Sequence, residues 1–372
     1  MKKIIKILAV SSLILGLFGC TTRKTQVAYT VYPVGYILNY LAGDQLQLVS
    51  IQDGTIVQRA NLLENYQTIL TESEILFHIG SLEPYLTSHS SSVSETNVAT
   101  NDLSSMNAIY KFQRYTPIIV DGGVTFVEST YYRGEVFDTI DIDERDLYLW
   151  VDPIAMLSMA KDIRDWLVNT YPESKGVFEE RFIALERELV QLDAEFQNLA
   201  NSLVSSNTSI KIVTMTPTYG SWQKTYGIQL YPVVLSKYGV LPTEAQYEII
   251  KNRITEDGVQ YIAYEENLPV DMEELFNRLS TELNLTVINL NDLSNLSDGQ
   301  IAENKDYLSL MYENLAALNA IVAANIPAET ETPDGTGDSS TGENGSTGTS
   351  TGTGGATATP TTTPAGDYEG EE

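Results

Sequence analysis

One cysteine, Cys20, and two histidines, His78 and His89, are the whole supply of thiol and imidazole metal ligands in 372 residues. A lone cysteine excludes an intramolecular disulfide and any multi-thiolate metal centre. Basic side chains are also scarce, 22 against 50 acidic ones, giving a formal net charge of −28. That balance is wrong for a nucleic-acid partner, whose phosphates require basic side chains. The chain has no Gly-x-Ser-x-Gly elbow, no Gly-rich phosphate loop and no His-Glu-x-x-His, so the common hydrolase and nucleotide-binding signatures are missing and no enzyme activity is expected. Long apolar runs are absent too. The one at the start, Ile7 to Phe18, is too short for a stable membrane-spanning helix.

That short run follows Lys2, Lys3 and Lys6, the basic start of a secretory leader. It ends Leu17-Phe18-Gly19-Cys20, which resembles the bacterial lipoprotein box. The resemblance implies a leader over 1–19, lipidation at Cys20, a tether over 20–26 and residence on the extracytoplasmic face of the cell membrane. Two acyl chains suffice for stable anchoring. At the other end, 327–372 is Gly/Ser/Thr-rich and acidic and has too little apolar surface to build a core. It reads as a disordered tail, either a surface spacer or a plain solubilising segment.

Between these ends the chain alternates strand and helix patterns. The most regular stretch is 176–204, with apolar residues at Phe178, Phe182, Leu185, Leu189, Leu192, Phe196, Leu199 and Leu203. Steps of four and three place them on one helical face. A helix this long, flanked by shorter mixed patterns, reads as a beam joining two lobes. Before it, strands are expected over 27–34 (ending at Pro33), 45–51 and 74–80, and helices over 35–44, 61–73 and 153–169 with Asp152 as cap. A Ser/Thr/Asn-rich mobile loop is expected over 87–108, and one or two strands around Asp121-Gly122-Gly123. After it, strands are expected over 210–216, 259–265 and 285–290, and helices over 220–227, 243–258 (capped by Thr243), 271–284 and 306–325. The alternation predicts an α/β fold with parallel sheets and right-handed crossovers. The lobes are expected over 27–175 and 207–326, joined by an interlobe helix over 176–206.

Several segments, in order, resemble the zinc/manganese-type substrate-binding lipoproteins of bacterial ABC importers. They are Tyr32-Pro33, LAGD (41–44), Gly54, IGSLEPYL (79–86), DLYLWVDP (146–153), VTMTPTYGSWQKTYG (213–227) and YLSLMYENLAAL (307–318). The resemblance covers about 27–325. It implies a monomer whose two lobes close on one divalent cation, zinc or manganese, and deliver it to a permease in the cytoplasmic membrane. The family's ligands are His, His, a third His or Glu, and an Asp. Carried onto this sequence they fall at Gln58, Tyr148, Thr216 and Asp292, with Asn291 as an alternative for the last. Three positions have therefore lost a strong ligand, and Asp292 alone is retained.

Nothing nearby compensates. His78 reads as a core-edge histidine within EILFHIG, and His89 as a solvated one in SHSSS; a His-rich loop is absent. The acids Asp138, Asp141, Asp143, Glu144 and Asp146 lack the glycine and spacing of an EF-hand loop and read as a solvated charge run. Glu265-Glu266 is a carboxylate pair whose members face opposite ways, with Glu265 resembling a structural glutamate of the family. An amide, a phenol, a hydroxyl and a carboxylate, with Trp150, Tyr219 and Trp222 close by, are poor ligands for zinc. They suit a small polar organic molecule, or bonds to one another that hold the lobes shut. Two readings follow: a metal-type binding protein with a degenerate site, or a paralogue turned to surface adhesion, sensing or an accessory role.

Overall fold

Strand β1 (Thr25–Tyr29) carries Val27 and Ala28 into the interior. Helix α1 (Tyr32–Ala42) starts sooner than expected, because Pro33 sits in its first turn and does not end the strand. There its missing N–H goes unused and its fixed φ is already helical. Gly43, at φ 55°, stops the helix. The computed structural model describes residues 24–325 apart from positions 106, 108 and 143. The leader, Cys20, most of the tether and the 327–372 tail lie outside the described residues.

In the first lobe β2 (Leu46–Ser50) runs parallel to β1. A short antiparallel pair, β3 (Gln52–Asp53) and β4 (Asn61–Leu62), then brackets Gly54. Gly54 has φ 137°, and a Cβ there would lie 2.7 Å from the Ala60 backbone, so the turn needs glycine. Pairing of 61–62 leaves only Tyr66–Glu72 for helix α2, shorter than the expected 61–73. Strand β5 (Ile75–His78) follows. The expected mobile loop over 87–108 is largely ordered structure: α3 (Pro84–Ser88), α4 (Ser90–Glu95) and β6 (Ala99–Asp102). The polar composition misled because β6 is an edge strand, and Val93 alone anchors α4 in the core. The sheet is parallel in the order β2-β1-β5-β6. A hairpin, β7 (Arg114–Val120) and β8 (Gly123–Ser129), turns at Asp121 and Gly122, φ 51° and 80°, the backbone that two-residue hairpins favour.

Helix α5 (Pro153–Thr170) is capped by Asp152, whose carboxylate accepts from the backbone N–H of Ile154 at 2.8 Å and Ala155 at 3.2 Å. Helix α6 (Lys175–Ser205) is the beam, 31 residues and about 46 Å long. All eight apolar positions of its stripe are buried. The second lobe repeats the pattern with β9 (Lys211–Thr214), α7 (Gly220–Tyr226), β10 (Gln229–Pro232), α8 (Glu244–Glu256), β11 (Tyr261–Tyr264), α9 (Val270–Leu283), β12 (Thr286–Asn289), α10 (Asp298–Ala302) and α11 (Tyr307–Asn325). Its sheet is parallel in the order β10-β9-β11-β12. Strand β10 was not anticipated. It is four residues long, ends in proline, and has no alternation because every residue is buried. Helix α8 opens with the capping box of Thr243 and Gln246, as its sequence suggests.

The α6 stripe is the seam of a core shared by both lobes. Replacing Leu192, fully buried at its centre, with Ala is expected to lower the unfolding free energy by about 2–5 kcal/mol, read by urea denaturation. The exposed neighbour Val190 changed to Ala is expected to shift it by less than about 0.5 kcal/mol.

Candidate functional site

The positions carried over from the family sit where strands give way to turns. Gln58 lies on the short 3-10 turn Val57–Arg59, and Tyr148 immediately precedes another, Leu149–Val151. Thr216 follows β9, and Asp292 follows β12. All four are buried, between 0% and 6% exposed. The Tyr148 hydroxyl donates to Gln58 Oε1 at 2.6 Å, so two of the carried-over positions are bonded directly to each other. Thr216 Oγ1 lies 2.5 Å from Thr218 Oγ1. Both hydroxyls donate to Glu265 Oε2, at 3.0 and 3.2 Å, and Glu265 Oε1 accepts the Met215 N–H at 3.2 Å. Burial, and then the charge of Asp292, holds the Tyr148 phenol well above its ordinary range, with the two threonine hydroxyls close enough to oppose this only in part.

The two candidates for the fourth position differ in their contacts. Asn291 faces away, taking the Gln300 amide at 2.7 Å on its side chain and giving its backbone N–H to Asn314. The Asp292 carboxylate is held by the Ser294 N–H at 2.9 Å and hydroxyl at 3.0 Å. Its charge is felt at Tyr148, Tyr219 and Glu265. Two buried carboxylates therefore lie close enough to repel each other. Burial, and then the charge of Asp292, pushes Glu265 up to about 8; burial raises Asp292 to about 6. No basic side chain contributes to either shift. Two buried polar atoms, Gln58 Nε2 and the Tyr219 hydroxyl, have no partner among the described residues.

The aromatic neighbours are structural clamps. Trp150 Nε1 donates to the Asp292 carbonyl at 2.8 Å, and Trp222 Nε1 to the Val151 carbonyl at 2.9 Å. The rings of Tyr148 and Trp150 lie 5.2 Å apart, those of Tyr219 and Trp222 4.5 Å. His78 caps the end of β5, its Nδ1 accepting from the Gly80 N–H at 2.9 Å. His89 is not a solvated loop residue: it joins α3 to α4, half-buried, with Nδ1 2.8 Å from the Tyr85 carbonyl and its ring edge-on to Tyr66. Neither histidine belongs to the cleft.

One member of the acidic run is also corrected. Asp138, Asp141 and Glu144 are exposed and Asp143 lies outside the described residues, but Asp146 is buried. It accepts the Tyr148 N–H at 3.0 Å and presses against Gly220, where an added Cβ would fall 2.2 Å from its carboxylate. Burial lifts it to about 7. Thr218 was missed in the sequence; its signal is the Thr-Pro-Thr alternation after β9. Among the described residues no group of three or more His, Cys, Asp or Glu side chains is arranged to hold a metal ion. The donor set is all-oxygen with one amide, unsuited to zinc.

Residues 27–321 match the family described as zinc-uptake complex component A, periplasmic. The chain belongs to this family. Among curated proteins it is 26% identical over 203 residues to the zinc-binding lipoprotein AdcA of Streptococcus pneumoniae, covering 54% of this chain and 38% of that one. It is 22% identical over 173 residues to the zinc-binding protein AdcA of Streptococcus pyogenes serotype M1, covering 46% and 32%. The chain thus spans well under half the length of the curated relatives it matches. The solved Zn(II)-bound ZnuA-like domain of S. pneumoniae AdcA superposes with TM-score 0.57 at 20% identity, over 80% of this chain and 98% of that one. The periplasmic zinc-binding protein TroA of Treponema pallidum gives 0.62 at 15%, over 80% and 99%. The laminin-binding protein Lmb of Streptococcus agalactiae, described as a bifunctional adhesin and metal transporter, gives 0.60 at 17%, over 80% and 98%. These likenesses establish the fold: two α/β lobes on a long helix.

Tyr148→Phe leaves the Gln58 amide with no bonded partner in a buried site, and is expected to destabilise the protein by about 1–3 kcal/mol, measured by chemical denaturation. The carboxylates set a pH dependence. Glu265 titrates near its ordinary value of 4.5 when unfolded and at about 8 when folded. The folded state therefore binds more protons between those values, and stability falls as pH rises through that window. Melting curves are expected to show this decline, and Glu265→Gln to flatten it.

Proposed function

We propose that this protein is an extracytoplasmic member of the metal-importer binding family whose metal site has been replaced by direct side-chain bonding. It is anchored through lipid on Cys20, has lobes over 27–175 and 207–326 about the 176–206 helix, and does not hold zinc or manganese tightly. The observation that carries this is the 2.6 Å bond from Tyr148 to Gln58, two of the family's ligand positions paired with each other. Thr216 and Asp292 support it, each already bonded to Glu265 or Ser294. A cation entering here would have to break these bonds, and neutral amide, hydroxyl and phenol oxygens give it little in return. By family, the partner is an ABC permease, and the lobes work as a monomer. A second reading, a surface adhesion, sensory or accessory protein with a small polar organic ligand or none, is favoured by the exposed apolar residues on the two faces of the β7–β8 hairpin. There Ile119 is 64%, Val120 50% and Val124 48% exposed.

Thermal unfolding of the chelator-stripped protein, titrated with Zn²⁺, Mn²⁺ and Ca²⁺, tests the proposal. A site held at a hundred times its dissociation constant adds about 2.7 kcal/mol. The expected result is no saturable rise with Zn²⁺ or Mn²⁺; a rise abolished by Asp292→Ala would overturn it. Conversely, Gln58→His, Tyr148→His and Thr216→His together, with Asp292 kept, are expected to create a saturable Zn²⁺ response in the same assay.

A further inference from the structure

In so acidic a chain, three arginines around one cavity need an explanation. The cavity, about 330 Å³, lies between the start of β7, the segment after β8 and helix α8. None of these supplies a residue of the cleft. Arg114, Arg133 and Arg253 line it, together with Ser129, Thr130 and Asn252.

Arg114 is only 6% exposed. Its terminal nitrogens reach Asp257 Oδ2 at 3.1 Å, the Tyr231 hydroxyl at 2.9 Å and Gln229 Oε1 at 3.3 Å. Its guanidinium carbon lies 4.9 Å from the centre of the Tyr231 ring. The side chain is thus rigidly held, yet its Nε–H is buried with no acceptor among the described residues. Leaving a charged donor unpaired in the interior is expensive, and native structures seldom do so without a missing partner. Arg253 engages the same Asp257 oxygen through its Nε at 2.7 Å, and Arg133 stands exposed at the rim. Asp257 thus ties two of the guanidiniums together and orients both. The one carboxylate lining the cavity is Glu256, exposed at its edge.

We infer that this cavity is a binding site for an oxyanion group, phosphoryl or sulfo, carried on a small hydroxylated molecule. Guanidinium planes match the paired oxygens of such groups, and the volume is at the lower end for small-molecule sites. Arg133 and Arg253 meet the anion, and the charge of Arg114, held behind them on Asp257, adds to theirs. The hydroxyls and amide of Ser129, Thr130 and Asn252, with the Glu256 carboxylate as acceptor, meet the hydroxylated body.

The test is calorimetric titration of the full chain with inorganic phosphate, sulfate and glycerol phosphate, at constant ionic strength set with chloride. Saturable binding of phosphate or sulfate is expected, tighter for glycerol phosphate. Arg133→Gln, exposed and so compatible with folding, should weaken it at least tenfold. Arg187→Gln, on the exposed face of α6 with its side chain 74% accessible, should leave it unchanged. In arginine-labelled protein, phosphate should shift one buried Nε–H resonance that chloride does not. Binding that Arg187→Gln weakens as much as Arg133→Gln, an equal response to chloride, or no saturable binding would each overturn the site.

Discussion

The turn Leu149–Val151 gives three buried bonds to the second lobe. The Trp150 indole N–H reaches the Asp292 carbonyl, the Trp150 carbonyl takes the Tyr307 hydroxyl at 2.7 Å, and the Val151 carbonyl takes the Trp222 indole N–H. Each joins groups that would otherwise be left unsatisfied in the interior, where the penalty is about 1–3 kcal/mol apiece. The rest of the cleft hangs from this turn. Tyr148, the residue before it, is aimed at Gln58 and the two threonines; Asp152, the residue after it, starts helix α5. The lobes are joined here by backbone carbonyls and aromatic donors.

The electrostatics of the cleft follow from that enclosure. Family metal sites bring carboxylate and imidazole to a positive centre. Here Glu265 and Asp292 lie among hydroxyls, phenols and an amide. Burial, and then repulsion from Asp292, hold Glu265 neutral from its ordinary value of 4.5 up to about 8. Thr216, standing where a ligand is expected, still bonds to Glu265.

Much of the fold was legible in the sequence. The four-and-three stepping of α6, the caps Asp152 and Thr243 and the stops Gly43 and Gly227 are local signals, and each element they mark formed. What misled were places where tertiary contacts override composition: the polar edge strand β6, the fully buried β10, and Pro33 opening a helix where a strand was expected to end. At the site, Gln58, Tyr148, Thr216 and Asp292 were nameable by resemblance, but their bonds to one another were not, since they depend on how turns distant in sequence meet. Asp146 read as one more solvated acid because charge runs usually are; only the Tyr148 N–H and Gly220 reveal its burial. The arginine cavity left no sequence trace, because Arg114, Arg133 and Arg253 belong to separate elements.

The α6 stripe has one further consequence. The largest apolar cluster holds Val27, Ile37 and Phe77 of the first sheet and its helices together with Ile212, Leu230 and Ala263 of the second, with the beam and Tyr307 between them. Neither lobe can shed its core without exposing part of the other's. Although the architecture is bilobal, denaturation should therefore be a single cooperative event, with no half-folded species in which one lobe survives alone.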